Sequence, residues 1–521
     1  MANSRPFLLA IQQMNILEAI MDSKVLSHLT KHNAQQATVD FLSQPKQMYV
    51  DGEWINAQND ERIVSYDPCY NAEITSFPAA STTDLDKAIC AARRTLDSKE
   101  WSEMLPLQRE SLMHKLANLI EEHADVLAEI EALDAGKAIS GCREADIAGS
   151  IDVLRYFAGW PSKIEGSVRQ VSVPGEHIAM AVKEPVGVVG GIVPWNWPFN
   201  MMMWKFSAAI AAGCTLVLKP AQQTSLSAIY FAKLVEQAGF PAGVFNLVTG
   251  KGSVIGNELV SHPLISKVSF TGSTPVGKQV GALVSQNLSH VTLELGGKSP
   301  MVVFEDADIE RVVAATQQSV FFNSGQVCSA GSRMYVQRKI YEDVIAAVAA
   351  KTKEMKLGLS LDESTEMGPI ISSGQFASII DYISIGQREG ARLVCGGKAE
   401  GEDGFFIQPT VFADCTNAMR IVREEIFGPV LSIQPFDTEE QAIQLANDNE
   451  YGLAASVFSQ DTSRVWRCSK QIKAGTVWIN THDLVDPCMP FGGFKNSGLG
   501  KDLGPEALEQ FLQTKTVWLE L

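Results

Sequence analysis

Positive charge is scarce in this chain of 521 residues: 43 Lys and Arg stand against 60 Asp and Glu, a formal net charge of −17. A surface of that sign excludes non-specific nucleic-acid binding, which needs a basic face. No apolar run is long enough to span a bilayer. The short patch FLLAI near the start has no small-residue cleavage site after it, so a cytoplasmic location is expected, with no membrane partner. CxxC pairs, an HExxH pair and Cys/His clusters with metal-ligand spacing are missing. The 9 cysteines are odd in number and scattered from Cys69 to Cys488, which argues against a disulfide framework and for a reducing compartment. Low-complexity segments and internal repeats are absent, and so is GxGxxG.

What remains is a composition typical of a soluble globular protein, 45% hydrophobic and 20% charged, in a chain long enough for two or three domains. Residues 1–44 read as an N-terminal extension with helical character. MYVDGEW, Met48 to Trp54, predicts a hairpin with an Asp-Gly turn. Apolar residues at helical spacing predict one long helical region over 105–135. Five continuous apolar runs follow: VGVVGGIV (186–193), TLVLKP (215–220), VFNLVTG (244–250), ISKVSFTG (265–272) and HVTLELGG (290–297). Runs apolar on both faces, alternating with helices, predict a buried parallel sheet in a doubly wound α/β fold, a frequent host of dinucleotides. After residue 330, MYVQRKI and PVLSIQPF predict strands, and 340–355 and TEEQAIQLAND predict helices. SVRQVSVPGEHIAMAVKEP predicts a hairpin turning at Pro-Gly, and the final KTVWLEL an edge strand added to another sheet.

Four stretches carry chemistry. NSGQVCSAGSR sets Cys328 among small polar residues; a free cysteine is more often a buried small hydrophobe than a nucleophile. VTLELGGKSP ends an apolar run on Glu294, either a structural carboxylate or a general base. PWNWP places Asn196 between two tryptophans after the first run. EEIFGPV supplies Glu425 and Phe427. Two Gly-rich loops, Gly250 to Gly256 and FTGSTPVG (Phe270 to Gly277), follow predicted strands; each is either a phosphate cradle or an ordinary capped helix start.

Together with LKPAQQT and PFGGFKNSG, these stretches resemble the aldehyde dehydrogenase superfamily, in family order over about residues 45 to 521. The resemblance implies an aldehyde dehydrogenase-like α/β fold. A doubly wound dinucleotide-binding domain would cover 45–163 and 186–293, and an α/β catalytic domain 294–500. A small β oligomerisation flap would cover 164–185 and 501–521. It implies oxidation of an aldehyde to an acid through a thiohemiacetal and thioester, with Cys328 as nucleophile, Asn196 as oxyanion donor and Glu294 as base. No metal is implied. NAD would contact Ile192, Pro194, Trp195, Lys219, Gln222, Gly252, Gly256, Ser273, Val276, Leu295, Glu425 and Phe427. Gln222 departs from the Glu of many NAD-linked members, and losing that charge removes repulsion of a 2′-phosphate, so NADP joins NAD as an expected cofactor. The small-molecule aldehyde would lie among Trp197, Asn200, Met201, Trp204, Phe322, Val327, Asp483, Val485 and Phe491. VLSHL, YVDG and INTHDLVDPCMPFGGFKNSGLGKDLGPEAL resemble bacterial phenylacetaldehyde dehydrogenases most closely. That makes an aromatic aldehyde the leading substrate, ahead of betaine aldehyde or an aliphatic aldehyde. A homotetramer is expected. The rival readings are a cysteine hydrolase, for which no neighbouring histidine is evident as base, and a non-catalytic structural role. His290, near Glu294, reads as a satisfied structural histidine.

Overall fold

The structure is a computed structural model that describes residues 21–521. Two parallel-sheet layers dominate it. The first sheet has eight strands in the order Glu53–Ile55, Met48–Val50, Phe245–Leu247, Thr215–Lys219, Val188–Ile192, Lys267–Thr271, His290–Glu294 and Gly498–Leu499. Its five central strands are parallel. They are the five apolar runs of the sequence, and in chain order they lie 3-2-1-4-5. That order reverses direction between Val188–Ile192 and Lys267–Thr271, and ligands of doubly wound folds bind at such a switch, beyond the carboxyl ends of the strands. The loops that leave this point are Pro194–Asn196 and Gly272–Ser273.

The chain crosses from the first sheet to the second over Leu295–Ser299. The second sheet has seven strands: Arg392–Cys395, Thr410–Ala413, Val430–Phe436, Arg333–Gln337, Pro300–Val303, Ala454–Phe458 and Thr476–Ile479. All pairs are parallel except the first, which is antiparallel. A third, three-stranded sheet joins the hairpin Ser167–Arg169 and His177–Pro185 to the C-terminal strand Leu512–Glu520, in full antiparallel register from Leu512 opposite Pro185 to Glu520 opposite His177. The hairpin turns at Gly175, whose φ of +101° is disfavoured for a residue with a Cβ.

MYVDGEW forms the expected hairpin, with Asp51 and Gly52 at positive φ. The 105–135 region is two helices, Pro106–Glu122 and Ala124–Ala135, rather than one. The break is at His123, with φ −107° and ψ 16°. The apolar periodicity continues across it, so the pattern does not mark it; the Tyr230 hydroxyl, 2.9 Å from His123 Nδ1, holds it from another helix.

The described part of the N-terminal extension folds as helices Ser23–Lys31 and Gln36–Ser43, packed through Val25, Leu29, Phe41 and Leu42. The part over residues 1–20 lies outside the described residues. Buried Lys46 caps the second helix, its ammonium donating to the Phe41 carbonyl at 2.5 Å. His28 Nδ1 lies 2.8 Å from Asp67 Oδ2, both fully buried. His28, Asp67 and Cys69 bring potential metal-binding atoms within 4.8 Å of one another, a grouping that sequence spacing missed. Hydrogen bonds engage those groups: Asp67 also accepts from the Cys69 N–H, and the Cys69 sulfur accepts from the Ser360 N–H. Among the described residues no helix is long and apolar enough to cross a membrane.

Candidate active site

The crossing segment Leu295–Ser299 sets the geometry of the site. Glu294 ends the last parallel strand, opposite Thr271. Two glycines follow because two neighbours leave no room for a side chain. A Cβ on Gly296 would stand 2.0 Å from the Glu425 carboxylate, and one on Gly297 would stand 2.5 Å from the Cys328 carbonyl oxygen. Glu425 Oε1 accepts from the Gly297 N–H at 3.0 Å. One short segment therefore holds Glu294, Cys328 and Glu425 in register.

Cys328 sits behind an unusual turn. Asn323, Ser324 and Gly325 are successive left-handed residues, with φ of 48°, 56° and 70°. A Cβ on Gly325 would meet the Gly428 carbonyl oxygen at 2.2 Å. The Asn196 amide donates to the Gln326 carbonyl at 2.9 Å, and the Asn323 amide to the Asn196 carbonyl at 3.0 Å. These bonds tie the loop after the first strand to the loop that bears the thiol. Asn196 uses one of its two N–H groups in this way and retains the other.

The electrostatics favour neutral forms. Burial pushes the Cys328 thiol well up, and the carboxylates of Asp483, Glu425 and Glu294 add to the effect. Burial also raises Glu294 far above the usual carboxylate range, reinforced by Asp502 and opposed by Lys205 and Lys501. Neither Glu294 oxygen has a hydrogen-bond partner among the described residues. An uncompensated buried carboxylate is costly unless function retains it. Burial raises Glu425 to about 7.

A cavity of about 800 Å³ opens between the sheets. It brings together Cys328, Glu294 and Asn196 with all nine residues expected to line an aldehyde tunnel: Trp197, Asn200, Met201, Trp204, Phe322, Val327, Asp483, Val485 and Phe491. Pro194, Trp195, Ser273, Leu295, Glu425 and Phe427 also line it. Trp195 meets Phe427 edge to face at 5.2 Å. Ile192, Lys219, Gln222, Gly252, Gly256 and Val276 lie outside the cavity. They lie at or beyond the carboxyl ends of the same parallel strands, with Gln222 and Val276 exposed. Ser273 stands at the N-cap of the helix Thr274–Val284 without making the cap hydrogen bond, so its hydroxyl stays free. Side chains on Gly252 or Gly256 would meet nothing within 4 Å, which makes that loop an open cradle.

A model of the aldehyde dehydrogenase family matches residues 54–517. The chain belongs to the aldehyde dehydrogenase family. It is 41% identical over 491 residues to a phenylacetaldehyde dehydrogenase of Pseudomonas fluorescens, covering 93% of this chain and 98% of that one. The solved NAD+ complex of an aldehyde dehydrogenase from Bacillus cereus is 44% identical, with a TM-score of 0.92 over 94% of this chain and 99% of that one. A betaine aldehyde dehydrogenase from Staphylococcus aureus, solved in complex with NAD+, is 39% identical, with a TM-score of 0.90 over 93% and 97% of the two chains. The protein is thus an oxidoreductase that acts on aldehydes, with the aldehyde dehydrogenase fold.

Two features of this aldehyde dehydrogenase escaped the sequence reading. His482 lines the cavity beside the nucleophile loop, although no histidine near Cys328 was expected. Its Nε2 lies 3.0 Å from the Ser329 carbonyl oxygen and its Nδ1 3.0 Å from Ser456 Oγ, so both nitrogens are engaged. A cysteine-hydrolase reading finds no free imidazole there. His290, expected to be satisfied structurally, is exposed at the far end of the strand from Glu294. Behind Glu294, buried Lys205 pairs with Asp502 at 3.3 Å. These residues lie 297 positions apart, so spacing could not connect them.

Proposed function

We propose that this aldehyde dehydrogenase oxidises phenylacetaldehyde, or a closely related aromatic aldehyde, to its carboxylic acid with NAD. The carrying observation is the convergence of Cys328, Asn196 and Glu294 on one cavity walled by Trp197, Trp204, Phe322 and Phe491. The relative named as a phenylacetaldehyde dehydrogenase supports the same substrate.

Cys328 is the nucleophile. Its thiol rests protonated, so a base must remove the proton as attack begins. Glu294, with two unpartnered oxygens, is that base in its ionised form, and its raised value makes that form the stronger proton acceptor. Sulfur adds to the aldehyde carbon and the carbonyl oxygen becomes an oxyanion. The free N–H of Asn196 and the Cys328 backbone N–H stabilise it; losing one such donor raises the barrier by about 2.7–4 kcal/mol. NAD, when bound, accepts the hydride that leaves this carbon. A thioester on Cys328 remains. Glu294 releases the first proton to solvent and then takes one from water, whose oxygen adds to the thioester carbon; the carbon–sulfur bond breaks, the acid departs, and the leaving sulfur takes the proton back from Glu294 to re-form the thiol.

The chain's residues suit the dinucleotide. The open Gly252–Gly256 loop, the free Ser273 hydroxyl at a helix N-terminus and the switch-point position fit a pyrophosphate. Lys219, lowered by burial to about 8, and Gln222 would flank the ribose of the adenosine half. Glu425 would hold the nicotinamide ribose and Phe427 would pack beside the ring. Gln222 carries no charge to repel a 2′-phosphate, so NADP is accepted alongside NAD; kcat/KM with each tests this, and strict NAD use overturns it. The main test is reduced-cofactor formation from phenylacetaldehyde and NAD by the wild type and Cys328→Ala. A rate abolished by the substitution supports the reading; no rate with phenylacetaldehyde, but turnover of aliphatic or betaine aldehydes, overturns the substrate.

A further inference from the structure

One wall of the cavity is aromatic with a single amide set into it. Trp197, Asn200, Met201 and Trp204 are spaced i, i+3, i+4 and i+7, so they share one face at the start of the helix Pro198–Ala212. Three of them are apolar wall. Trp197 stacks on Phe322, with centroids 5.7 Å apart, and Trp204 meets Phe491 edge to face at 5.4 Å. The fourth is Asn200, which is buried from bulk solvent and lines the cavity. A polar side chain in such a wall is accounted for by its hydrogen bonds.

Asn200 Nδ2 donates to Ser150 Oγ at 3.3 Å and to the Asp146 carbonyl at 3.5 Å. Neither partner has a proton to offer in return. A carbonyl carries none, and the Ser150 hydroxyl gives its own to the same Asp146 carbonyl. The amide is therefore turned one way. Its nitrogen faces Ser150 and Asp146, both buried and neither lining the cavity. Its oxygen, Oδ1, accepts no hydrogen bond among the described residues, yet it is not one of the side-chain atoms sealed from solvent. The open side of Asn200 is the cavity, so Oδ1 presents an acceptor there. Gly149, also on the cavity wall, has no side chain to cover the amide; a Cβ on it would stand 3.5 Å from Nδ2. The other polar residue of the expected tunnel, Asp483, belongs to the reacting end, where its Oδ1 accepts from the hydroxyl of Ser329, the residue after Cys328, at 2.5 Å.

We infer that Asn200 is a specificity-determining residue whose Oδ1 accepts a hydrogen bond from a ring hydroxyl, so that the preferred substrates are hydroxylated aryl aldehydes. This inference rests on the aromatic-aldehyde reading above and narrows it. A phenol keeps its proton at neutral pH, as tyrosine does. A methyl or methoxy group of similar placement has no proton to donate. A bare ring displaces water from Oδ1 without replacing its hydrogen bond, and an acceptor left without a partner penalises that substrate.

The test measures kcat/KM of the full-length enzyme with NAD for phenylacetaldehyde and for its 3- and 4-substituted hydroxy, methyl and methoxy derivatives. In the wild type one hydroxy isomer should exceed phenylacetaldehyde by about 3- to 10-fold, the worth of one neutral hydrogen bond, chiefly through KM. The methyl and methoxy compounds substituted at the same position should show no such gain. Asn200→Leu, which puts a hydrocarbon of similar size in the wall, should abolish the advantage of the hydroxy isomer over the bare ring. The wild-type series stands without the variant: if neither hydroxy isomer surpasses its methyl counterpart, the inference is overturned and the aromatic reading remains. An advantage of undiminished size in a folded Asn200→Leu variant overturns it as well, by placing the acceptor elsewhere. A wild type that turns over none of these aryl aldehydes overturns both readings.

Discussion

Cys328 is surrounded by carboxylates rather than cations. On the proposed mechanism its thiolate is generated on demand rather than stored. A raised acid keeps its proton to higher pH, so labelling of Cys328 by iodoacetamide, followed by mass spectrometry of its peptide, should still climb with pH beyond pH 9; a plateau near neutrality would contradict this. Glu425 illustrates the stability cost of a buried carboxylate. Its value in the folded protein, about 7, exceeds the ordinary 4.5. The folded state thus holds the proton more tightly, and the associated stability, full below pH 4.5, is lost as pH rises to 7. Glu425→Gln should therefore stabilise the protein at pH 8, by on the order of 2 kcal/mol, and hardly at all at pH 4. Thermal denaturation at the two pH values checks the sign. The same variant should raise the KM for NAD.

Among the elements, the turn before Cys328 bears most directly on the proposed nucleophile. Three consecutive left-handed residues are costly, at about 1–3 kcal/mol for each non-glycine one, and here they lie close to the Cys328 thiol. Gly325→Ala would require a Cβ 2.2 Å from the Gly428 carbonyl oxygen at a φ of +70°. We expect at least a tenfold fall in kcat, with Tm lowered by several degrees; wild-type kcat in a folded variant would show that the turn does not position Cys328. Gly296→Ala should act on the other partner. It pushes the Glu425 carboxylate away and raises the KM for NAD, while the alkylation rate of Cys328 changes little.

For the whole molecule, the third sheet is the exposed feature that most needs a partner. Val168, Trp518 and Leu519 are exposed apolar residues on it, and Val168 is 73% exposed. Sheet edges with exposed apolar side chains invite pairing with another chain. Removing residues 512–521 takes away the strand that pairs along the full length of His177–Pro185. The truncated protein should sediment as a smaller species than the tetramer expected of the intact chain. An unchanged mass would place the subunit contacts elsewhere.

Much of this protein is legible in one dimension. The five apolar runs became the five central parallel strands because strands buried on both faces must be apolar throughout. The motifs around Cys328, Glu294 and Asn196, read with the others in order, pointed to the aldehyde dehydrogenase family that the match over residues 54–517 shows. Other features belong to three dimensions alone. The break at His123 is invisible to periodicity, because a contact from another helix makes it. His482, the Lys205–Asp502 pair and the contacts of Asn200 with Ser150 and Asp146 depend on which segments pack together, and a buried charge is tolerated only where packing supplies its partner. Sequence alone determined the fold class and the family, since both follow from local residue type and pattern. Tertiary structure decided how the rings face one another and which way the Asn200 amide is turned, since these depend on contacts between residues far apart in the chain.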